Sequence, residues 1–297
     1  MGEFRQEDWL AQLDEEEQKQ YRLTQEWIEA PEGILGKGMS LIGKPIDLAY
    51  RAVPESLKEK VSQALYQVLL QVRDHSRDTV RRQALYDSIS QKVGLDVSDK
   101  RNLDRQPLKV LDRAAQQVLS AHRQLAVVQG GVTGAAGLPG LVADVPSLYF
   151  LVFRCVEEIA CCYGFPADSE EERDLVLKVV NIGHYLESAN KRKGMLEIES
   201  MDEMLRRGAP VKDLERTMVA KSLQTLSRQL SARLVQRKLA QTLMIVGAVI
   251  GAGVNAALVS DVGTTAYHAY RMRRLRHLSE QRLERQLSAQ PDQQVES

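Results

Sequence analysis

The chain has 297 residues, of which 27% are charged, and its 40 basic side chains balance its 40 acidic ones. This balance excludes a whole-protein electric field that would attract nucleic acid or an acidic substrate. The length suits one hydrophobic core and no linker-like stretch divides it, so we predict a single domain. The charge is uneven, because residues 1–30 are acidic and residues 271–285 are rich in arginine. These ends either pair with each other or leave the basic end free to meet an anionic surface.

Apolar residues recur at intervals of three and four almost throughout the chain, and we find no convincing strand pattern. The sequence therefore predicts an all-α fold, a single helical domain built around two pseudo-repeated glycine-rich hairpins. Its parts are an acidic N-terminal helix over residues 1–30, a helical domain over residues 31–276 and a polar C-terminal tail over residues 277–297.

The first predicted helix is acidic and amphipathic, covers residues 6–30 and is ended by Pro31. A second helix begins after Pro54, and a third covers about residues 77–93. A fourth begins near Pro107, because proline is favoured in the first turn of a helix. The apolar face of the second helix comprises Val61, Leu65, Val68, Leu69 and Val72.

Helix ends are also predicted in the second half of the chain. Residues 163–166, Tyr-Gly-Phe-Pro, close a helix with a C-cap glycine and a proline that cannot continue it. Ser169 and Glu172 predict a capping box for the next helix. We interpret residues 191–194, Lys-Arg-Lys-Gly, as a basic linker. Leucine spacing over residues 214–239 predicts a long amphipathic helix that leads into a second apolar segment.

Cys155, Cys161 and Cys162 lie in one short segment. An odd number with two adjacent members is a poor disulfide framework and favours a reducing compartment. The first thirty residues lack the apolar core of a secretory signal, and no lipidation motif is present. We therefore expect a cytoplasmic protein, peripheral to the inner membrane if it meets a membrane.

Two glycine-rich apolar segments, residues 130–154 and 247–271, echo each other in sequence. The matched pairs are Gly130 with Gly247, Gly134 with Gly251, Asp144 with Asp261, and Arg154 with Arg271. The spacing of the glycines in each segment lets helix backbones approach closely. We expect the two glycine pairs to face each other across a pseudo-twofold axis, with Asn255 in the same packing region.

Each segment is interpreted as a hairpin of two short arms. Residues 137–140, Gly-Leu-Pro-Gly, predict a break in the first segment, because Pro139 removes a hydrogen-bond donor. An arm of roughly twelve residues spans about 18 Å, well short of the roughly 30 Å of bilayer hydrocarbon. The sequence favours a buried core over a wedge at the membrane interface or a spanning arrangement.

Asp144 and Asp261 lie inside the apolar segments, where an ionised carboxylate is costly unless it is paired or caps a helix. Three interpretations stay open. Each aspartate caps an arm of its hairpin, or pairs with Arg154 and Arg271 across the repeat axis, or joins a buried acid pair whose two pKa values are separated.

Catalytic and phosphate-binding motifs are not found: the chain has no phosphate loop, no GxSxG, no HExxH and no pair of CxxC motifs. His184 and Glu187 lie one turn apart and could bring two metal ligands together, but a core or surface role is favoured. Glu157 and Glu158 point about 100° apart on a helix, so at most one faces any site. We predict an Arg154–Glu158 salt bridge. No metal and no cofactor are predicted.

Four arginines in the last predicted helix, Arg271, Arg273, Arg274 and Arg276, are expected to be exposed and to contact an anionic membrane surface or a membrane protein. Few aromatic residues accompany them. No nucleic-acid partner is therefore expected, and the sequence specifies no oligomeric state.

Several runs of residues resemble the motifs of the EcsC protein family. They are 130–134 (Gly-Gly-Val-Thr-Gly), 137–140, 143–146 (Ala-Asp-Val-Pro), 158–160 and 163–165. Residues 246–248, 251–255 and 261–262 resemble the family's C-terminal block, including its asparagine at Asn255. The similarity extends from near Pro31 to near Leu275. The resemblance implies an association with a transporter, because the family's namesake is encoded beside ABC-transporter components, and it implies no defined reaction.

The sequence thus predicts a non-catalytic helical protein that acts at or near the cytoplasmic face of a membrane, accessory to a transporter by family association alone. One alternative is a hydrolase-type enzyme with Asp144 and Asp261 as a buried acid pair, assisted by His184 or Glu158. The other is a soluble helical scaffold whose hairpins are its core.

Overall fold

The described residues of the computed structural model form helices and no strand, which confirms the all-α prediction for this part of the chain. The described ranges are 9–30, 48, 50–93, 103, 105–134, 137–184, 188–206, 220–232, 235–236 and 250–289. The helices are α1 (Glu15–Glu29), α2 (Glu55–Ser76), α3 (Arg82–Val93), α4 (Leu108–Gly134), α5 (Gly137–Cys162), α6 (Glu170–Ile182), α7 (Ser188–Arg206) and α8 (Ile250–Ala289). Residues 77–79 form a 3-10 turn, and residues 220–232 are also helical.

A capping box fixes the start of α1. Asp14 accepts a hydrogen bond from the backbone N–H of Glu17 at 2.8 Å, and the Glu17 carboxylate accepts one from the Asp14 N–H at 2.9 Å. This reciprocal pair satisfies two N–H groups that a helix start leaves open. The helix therefore begins at Glu15, later than the start near residue 6 that the apolar spacing predicts.

The predicted turn between α5 and α6 is confirmed, with one difference. Gly164 has a φ of 88°, a left-handed conformation that favours glycine. Ser169 caps α6 by accepting the Glu172 N–H at 3.2 Å. The Glu172 carboxylate does not complete the capping box. It accepts two hydrogen bonds from Arg273, at 2.8 and 2.7 Å.

The forty-residue helix α8 is the centre of the packing and contacts α1, α4, α5, α6 and α7. Two glycines allow these close approaches. A Cβ on Gly183 would lie 2.6 Å from the Cα of Val262, and one on Gly263 would lie 2.3 Å from Cδ1 of Leu119. On the other side of α5, helix α2 buries Leu65, Leu69 and Val72, as its apolar spacing predicts.

The predicted basic linker at residues 191–194 is wrong, because these residues lie inside α7. The Lys191 ammonium donates hydrogen bonds to the carbonyls of Trp27 at 2.8 Å and Ala30 at 3.2 Å. Those carbonyls belong to the end of α1, where a helix has no internal partners for them. Lys191 therefore joins α7 to α1.

Helix α8 continues to Ala289, so residues 277–289 of the predicted polar tail are helical. Ser279 is fully buried and donates to the Trp9 carbonyl at 2.6 Å. Arg282 forms two hydrogen bonds with the Glu17 carboxylate, at 2.5 and 2.8 Å. This pair joins a basic residue of the C-terminal part to an acidic residue of the N-terminal part, as one of the two possibilities for the charged ends predicts.

The first glycine-rich segment covers the end of α4 and the start of α5, which are helices of 27 and 26 residues, and the predicted break at residues 137–140 is wrong because α5 begins at Gly137. Pro139 lies in the first turn of α5, where proline is tolerated. In the second segment α8 continues from Ile250 without a break. The prediction of a second hairpin with a turn after Ile250 is therefore wrong. Asp144 and Asp261 lie inside α5 and α8, and the N-cap interpretation fails because a cap precedes the first helical residue.

Candidate functional site

Helices α4 and α5 run antiparallel, as three contacts along them show. Tyr163 donates to Asp112 at 2.6 Å, His122 lies 3.8 Å from Glu158, and Gln129 donates to Ser147 at 2.8 Å. The C-terminal end of α4 therefore lies on the same side of the pair as the N-terminal end of α5. We call residues 124–134 of α4 and 137–143 of α5 the hairpin end.

Helix α4 leaves the core as it approaches the hairpin end. Up to Leu119 about half of its residues are buried, but between residues 120 and 129 only His122 and Ala126 are buried. Large apolar side chains are exposed in this part: Leu125 at 55%, Val127 at 50% and Val128 at 67%. Together they form an apolar surface on this part of α4.

No residue from 124 to 143 is charged. An exposed helix that faced only water would carry charged side chains on its outer face. Exposed valine and leucine side chains without charges among them are instead typical of a surface that contacts another apolar phase or partner. This combination makes the hairpin end the candidate functional site.

An ion cluster lies at the base of the hairpin end. Arg154 donates to Glu158 at 2.8 Å, which confirms the predicted salt bridge. His122 donates from Nδ1 to the Val118 carbonyl, at 3.0 Å. Burial lowers the pKa of His122, although the Glu158 carboxylate offsets part of the decrease. Arg123 reaches Thr264 of α8 at 3.3 Å. On α4 these residues are the first charges after the hairpin end, whereas on α5 Asp144 follows it directly.

Arg271 is almost completely buried at the opposite end of α4. It donates to Gln20 at 2.6 Å and to Thr24 at 2.9 Å, and its Nη1 lies 3.6 Å from the Asp112 carboxylate. Burial raises the pKa of Asp112, and Arg271 and Tyr163 offset only part of the rise. Arg271 therefore joins α1, α4 and α8 by hydrogen bonds. Loss of one partner would leave another buried polar group without its hydrogen bond.

His268 lies beside Arg271 and is neutral in this environment. Its ring stacks on Trp27 with centroids 4.4 Å apart, and its Nδ1 accepts from Arg271 at 2.9 Å. Burial lowers the pKa of His268, and the positive charges of Arg271 and Lys191 lower it further. The geometry and the charges thus both favour the unprotonated ring.

Arg273 forms a second buried cluster two residues further along α8, on the opposite side of the helix. Besides its two bonds to Glu172 it donates to Asp202 at 2.7 Å, and its guanidinium lies 4.0 Å from the centre of the Phe165 ring. Burial opposes ionisation of Asp202, but His277 and Arg273 outweigh burial and hold the pKa of Asp202 below its usual range. Arg273 is in turn held protonated between two carboxylates.

The arginines of α8 do not form the exposed basic face that the sequence predicts. Arg271, Arg273 and Arg274 are buried, and Arg276 is partly buried and donates to Glu199 at 2.8 Å. Their positions follow from α8 being the central helix, so that most of its circumference meets other helices. In this structure their guanidinium groups face the protein interior and not a membrane.

His184 is a core residue whose two ring nitrogens are engaged. Its Nδ1 donates to the Val180 carbonyl at 2.7 Å, and its Nε2 accepts from the Tyr149 hydroxyl at 2.5 Å. Glu187, the other half of the predicted ligand pair, lies outside the described residues. Glu157 accepts from Ser76 at 3.0 Å, so the two adjacent glutamates do face different elements.

The two aspartates of the echo are placed differently. Asp261 is half-buried and its carbonyl accepts from Thr265 at 2.8 Å. Burial lowers the pKa of Lys191, and the Asp261 carboxylate offsets part of the decrease, which puts the two charges within reach of each other. The side chain of Asp144 lies outside the described part of the chain, as does any contact between the two carboxylates.

Of the predicted helix-packing residues, Gly130, Gly134 and Gly251 lie in helices, and Asn255 is buried. Gly247 is outside the described residues.

The three cysteines are buried and unpaired. Burial raises the pKa of the Cys161 thiol to about 12, and it raises the pKa of Cys155 and Cys162 as well. At neutral pH they are thiols and not thiolates, so they lack the reactive form of a nucleophile.

The described residues contain no group of three or more histidine, cysteine or carboxylate side chains arranged to hold a metal ion. Among the same residues, no helix combines the length and the apolar character that crossing a membrane requires.

The sequence analysis does not identify several residues of the buried clusters, chiefly Asp112, His268 and Asp202. One signal points to Asp112, which lies next to the apolar positions Leu108, Leu111 and Ala115 of a helix and so belongs to its buried face. For His268 and Asp202 the sequence offers no such signal, because their partners lie on other helices.

The fold and the site define a helical protein with exposed apolar side chains toward the end of one long helix and with arginine–carboxylate clusters buried around a central helix. The chain belongs to the EcsC protein family, whose model matches residues 18–275. The match begins earlier than the resemblance near Pro31 indicates and includes α1 from residue 18 onward.

Two proteins of Bacillus subtilis (strain 168) are similar to this chain. Uncharacterized protein YdbA is 23% identical over 235 residues, which is 78% of this chain and 83% of YdbA. Protein EcsC is 23% identical over 180 residues, which is 61% of this chain and 70% of EcsC. No solved structure matches the fold.

Proposed function

We propose that this protein is a non-catalytic helical protein that acts at or near the cytoplasmic face of a membrane. The observation that supports the proposal most directly is the exposure of Leu125, Val127 and Val128 within a stretch that carries no charge from residue 124 to 143. Burying such side chains at a membrane interface is favourable by about 25 cal/mol per Å² of apolar area. An accessory role beside a transporter rests on family association alone.

The rival proposal of a hydrolase-type enzyme has less support. Of its candidate residues, His184 is engaged by Tyr149 and Val180, and Glu158 by Arg154. These are the contacts of residues that hold helices together. A soluble scaffold would explain the buried clusters but gives no reason for three exposed apolar side chains on one short segment.

Co-sedimentation of the full-length chain with vesicles tests the proposal. Vesicles of phosphatidylcholine alone and of phosphatidylcholine with phosphatidylglycerol are compared, at low and high salt. We expect the wild-type chain to sediment with vesicles and Val128→Asp to lose most of this binding. Leu196→Asp is the matched control, because Leu196 is 59% exposed on α7 and the change is the same. A wild-type chain that stays in the supernatant with both vesicle types would refute the proposal.

We also propose that the echo reflects a pseudo-twofold relation of α4 and α8 near the hairpin end. These helices run antiparallel: Gln116 donates to Tyr267 at 3.1 Å, and Arg123 donates to Thr264. Continued toward Gly134, this register brings Gly134 opposite the segment around Gly251, and Gly130 opposite residues about one turn further along α8. Disulfide formation between Gly134→Cys and Gly251→Cys tests the relation, with Gly134→Cys and Val259→Cys as the pair expected to stay apart.

A further inference from the structure

The segment of residues 9–30, which contains α1, lies against α7 and α8 and contacts their cationic side chains. Each of five cations donates to this segment, forms an ion pair with it or lies over one of its rings. They are Lys191, Arg192, Arg271, Arg276 and Arg282. The segment therefore covers two of the four arginines, Arg271 and Arg276, for which the sequence predicts exposure.

The charge of the segment is opposite to that of the surface it covers. Residues 9–30 carry six acidic and two basic side chains, a net charge of −4. On the rest of the protein, Asp112 and Glu199 form ion pairs with two of the five cations, and the charge of Asp261 acts on Lys191. Without the segment, these five positive charges would face three negative ones. The segment reverses this excess.

Polar contacts account for much of the attachment of the segment. Arg282 donates to the Gln12 carbonyl at 2.8 Å in addition to its two bonds to the Glu17 carboxylate. The large apolar side chains of the segment that are buried are Trp9, Leu13 and Ile28. Contacts with a large polar share open at a lower free energy than an apolar core does. This favours opening of the segment before the rest of the fold.

The covered surface combines guanidinium groups with aromatic rings, which suits the headgroup layer of a membrane. The guanidinium of Arg271 lies 4.6 Å from the centre of the Tyr267 ring. Guanidinium groups bind phosphate oxygens as they bind carboxylates, and tyrosine is common where one end of a side chain is apolar and the other meets water. A membrane with anionic lipids offers many phosphates in one plane, and these can replace the carboxylates of the segment.

From these contacts we infer that residues 9–30 are a releasable cover over a second lipid-binding surface, formed by α7 and α8, which takes the headgroups of anionic lipids. The inference rests on the proposed function and adds a second contact and its control. While the cover is in place, the protein binds through the exposed apolar side chains of α4. Release of the cover adds binding that requires anionic lipid and weakens with salt.

The variant Glu17→Gln should loosen the cover without removing a cation from the surface beneath it. A glutamine at this position still completes the capping box of α1, but it has no charge to pair with Arg282. In the co-sedimentation assay we expect the full-length variant to bind vesicles that contain phosphatidylglycerol about two- to fivefold more tightly than wild type at low salt. At high salt, and with phosphatidylcholine alone, the two proteins should bind equally.

The matched control is Glu26→Gln, because Glu26 is exposed on the same helix and the change in charge is the same. It should bind both vesicle types as wild type does. An equal gain in the two variants would mean that the net charge of the protein sets the binding, and would overturn the inference.

A covalent link between the cover and α8 tests the reverse case. Because Arg282 reaches the Gln12 carbonyl, positions 12 and 282 lie about one arginine side chain apart. In the full-length variant Gln12→Cys/Arg282→Cys, a short bis-maleimide joins the two introduced thiols, and the three native cysteines are buried. The same variant treated with N-ethylmaleimide is the control. We expect the joined protein to bind phosphatidylglycerol vesicles no better than phosphatidylcholine vesicles, and the control to bind the anionic vesicles better.

The outcomes separate the inference from the proposed function. If the chain sediments with vesicles but neither Glu17→Gln nor the covalent link changes its binding to anionic vesicles, the inference fails and the proposed function stands. If no form of the chain sediments with either vesicle type, both fail.

Discussion

The two ends of α4 reverse the usual placement of polar and apolar side chains. At its start, Asp112 is buried against Tyr163 and Arg271. Toward its end, Leu125 and Val128 are exposed to solvent. One helix thus has a buried charge at one end and an apolar surface at the other.

The comparison distinguishes buried charged side chains, which hold the helices together, from exposed apolar side chains, which form part of the surface. A buried charge is stable only while its partners remain, so the clusters around Arg271 and Arg273 constrain how α1, α4, α6, α7 and α8 assemble. The exposed apolar side chains should add little to stability, because they remain largely in contact with solvent. Four predictions follow this contrast from the largest expected effect on stability to the smallest.

Replacing Arg273 by methionine should be the most damaging change. It leaves the carboxylates of Glu172 and Asp202 without their main partner in a buried site, and breaking a buried ion pair costs about 3–5 kcal/mol. Chemical denaturation with urea measures this loss in the free energy of unfolding. The control is Arg285→Met on the exposed side of α8, expected within about 0.5 kcal/mol of wild type. Equal effects of the two changes would mean that the cluster does not hold the helices.

His268 should make the buried end sensitive to mild acid. The pKa of His268 is lower in the folded state than its ordinary value near 6.5, so the unfolded state binds the proton more readily. The free energy of unfolding should therefore decrease as the pH falls below about 6.5. In His268→Gln this decrease should be smaller, because a glutamine carbonyl accepts from Arg271 but does not titrate.

Urea midpoints of both proteins at pH 7.5 and pH 5.5 give the comparison. The wild-type midpoint should fall more between the two pH values than the midpoint of the variant. Parallel shifts would show that His268 does not control the acid sensitivity, and would direct attention to His122, whose pKa is also lowered by burial.

The pair at the edge of the bundle should contribute less. The Arg282 side chain is 35% exposed, and partly exposed ion pairs stabilise by about 0.2–1 kcal/mol. We expect Arg282→Gln to cost an amount in this range, and to cost less at high salt. A double-mutant cycle with Glu17→Gln isolates the pair, and a coupling energy above about 2 kcal/mol would contradict its position at the edge.

Val128→Asp should have almost no effect on stability, within about 0.5 kcal/mol, because the wild-type side chain is mostly exposed. The same variant is the one expected to lose vesicle binding. A large loss of stability would show that Val128 packs against the protein, and the apolar surface would then have a structural explanation.

Local signals in the sequence predict the helix ends well. The start of α4 after Pro107 and the glycine C-cap at Gly164 depend on backbone groups a few residues away, and both are found as predicted. The Arg154–Glu158 pair is predicted for the same reason, since its partners are one helical turn apart. Such features need no knowledge of the rest of the fold.

The environment of the charged residues is not predictable in this way. Arg273 meets Glu172 and Asp202 on two other helices, and nothing near Arg273 in the sequence distinguishes it from an exposed arginine. Lys191 looks like part of a linker until α1 is placed against it. The exposure of Val127 and Val128 was equally hidden, because an apolar run predicts burial unless the neighbouring helices fail to cover it.

The length of α8 has a mechanical consequence. At 1.5 Å per residue its forty residues form a rod about 60 Å long. The first residues of α8 lie on the side of the molecule where α4 leaves the core. Near the other end of α8, Arg282 donates hydrogen bonds to Glu17. A tilt of 5° about one end would move the other by about 5 Å. A small rotation of α8 about its first residues would therefore displace the contact between Arg282 and Glu17 near its other end.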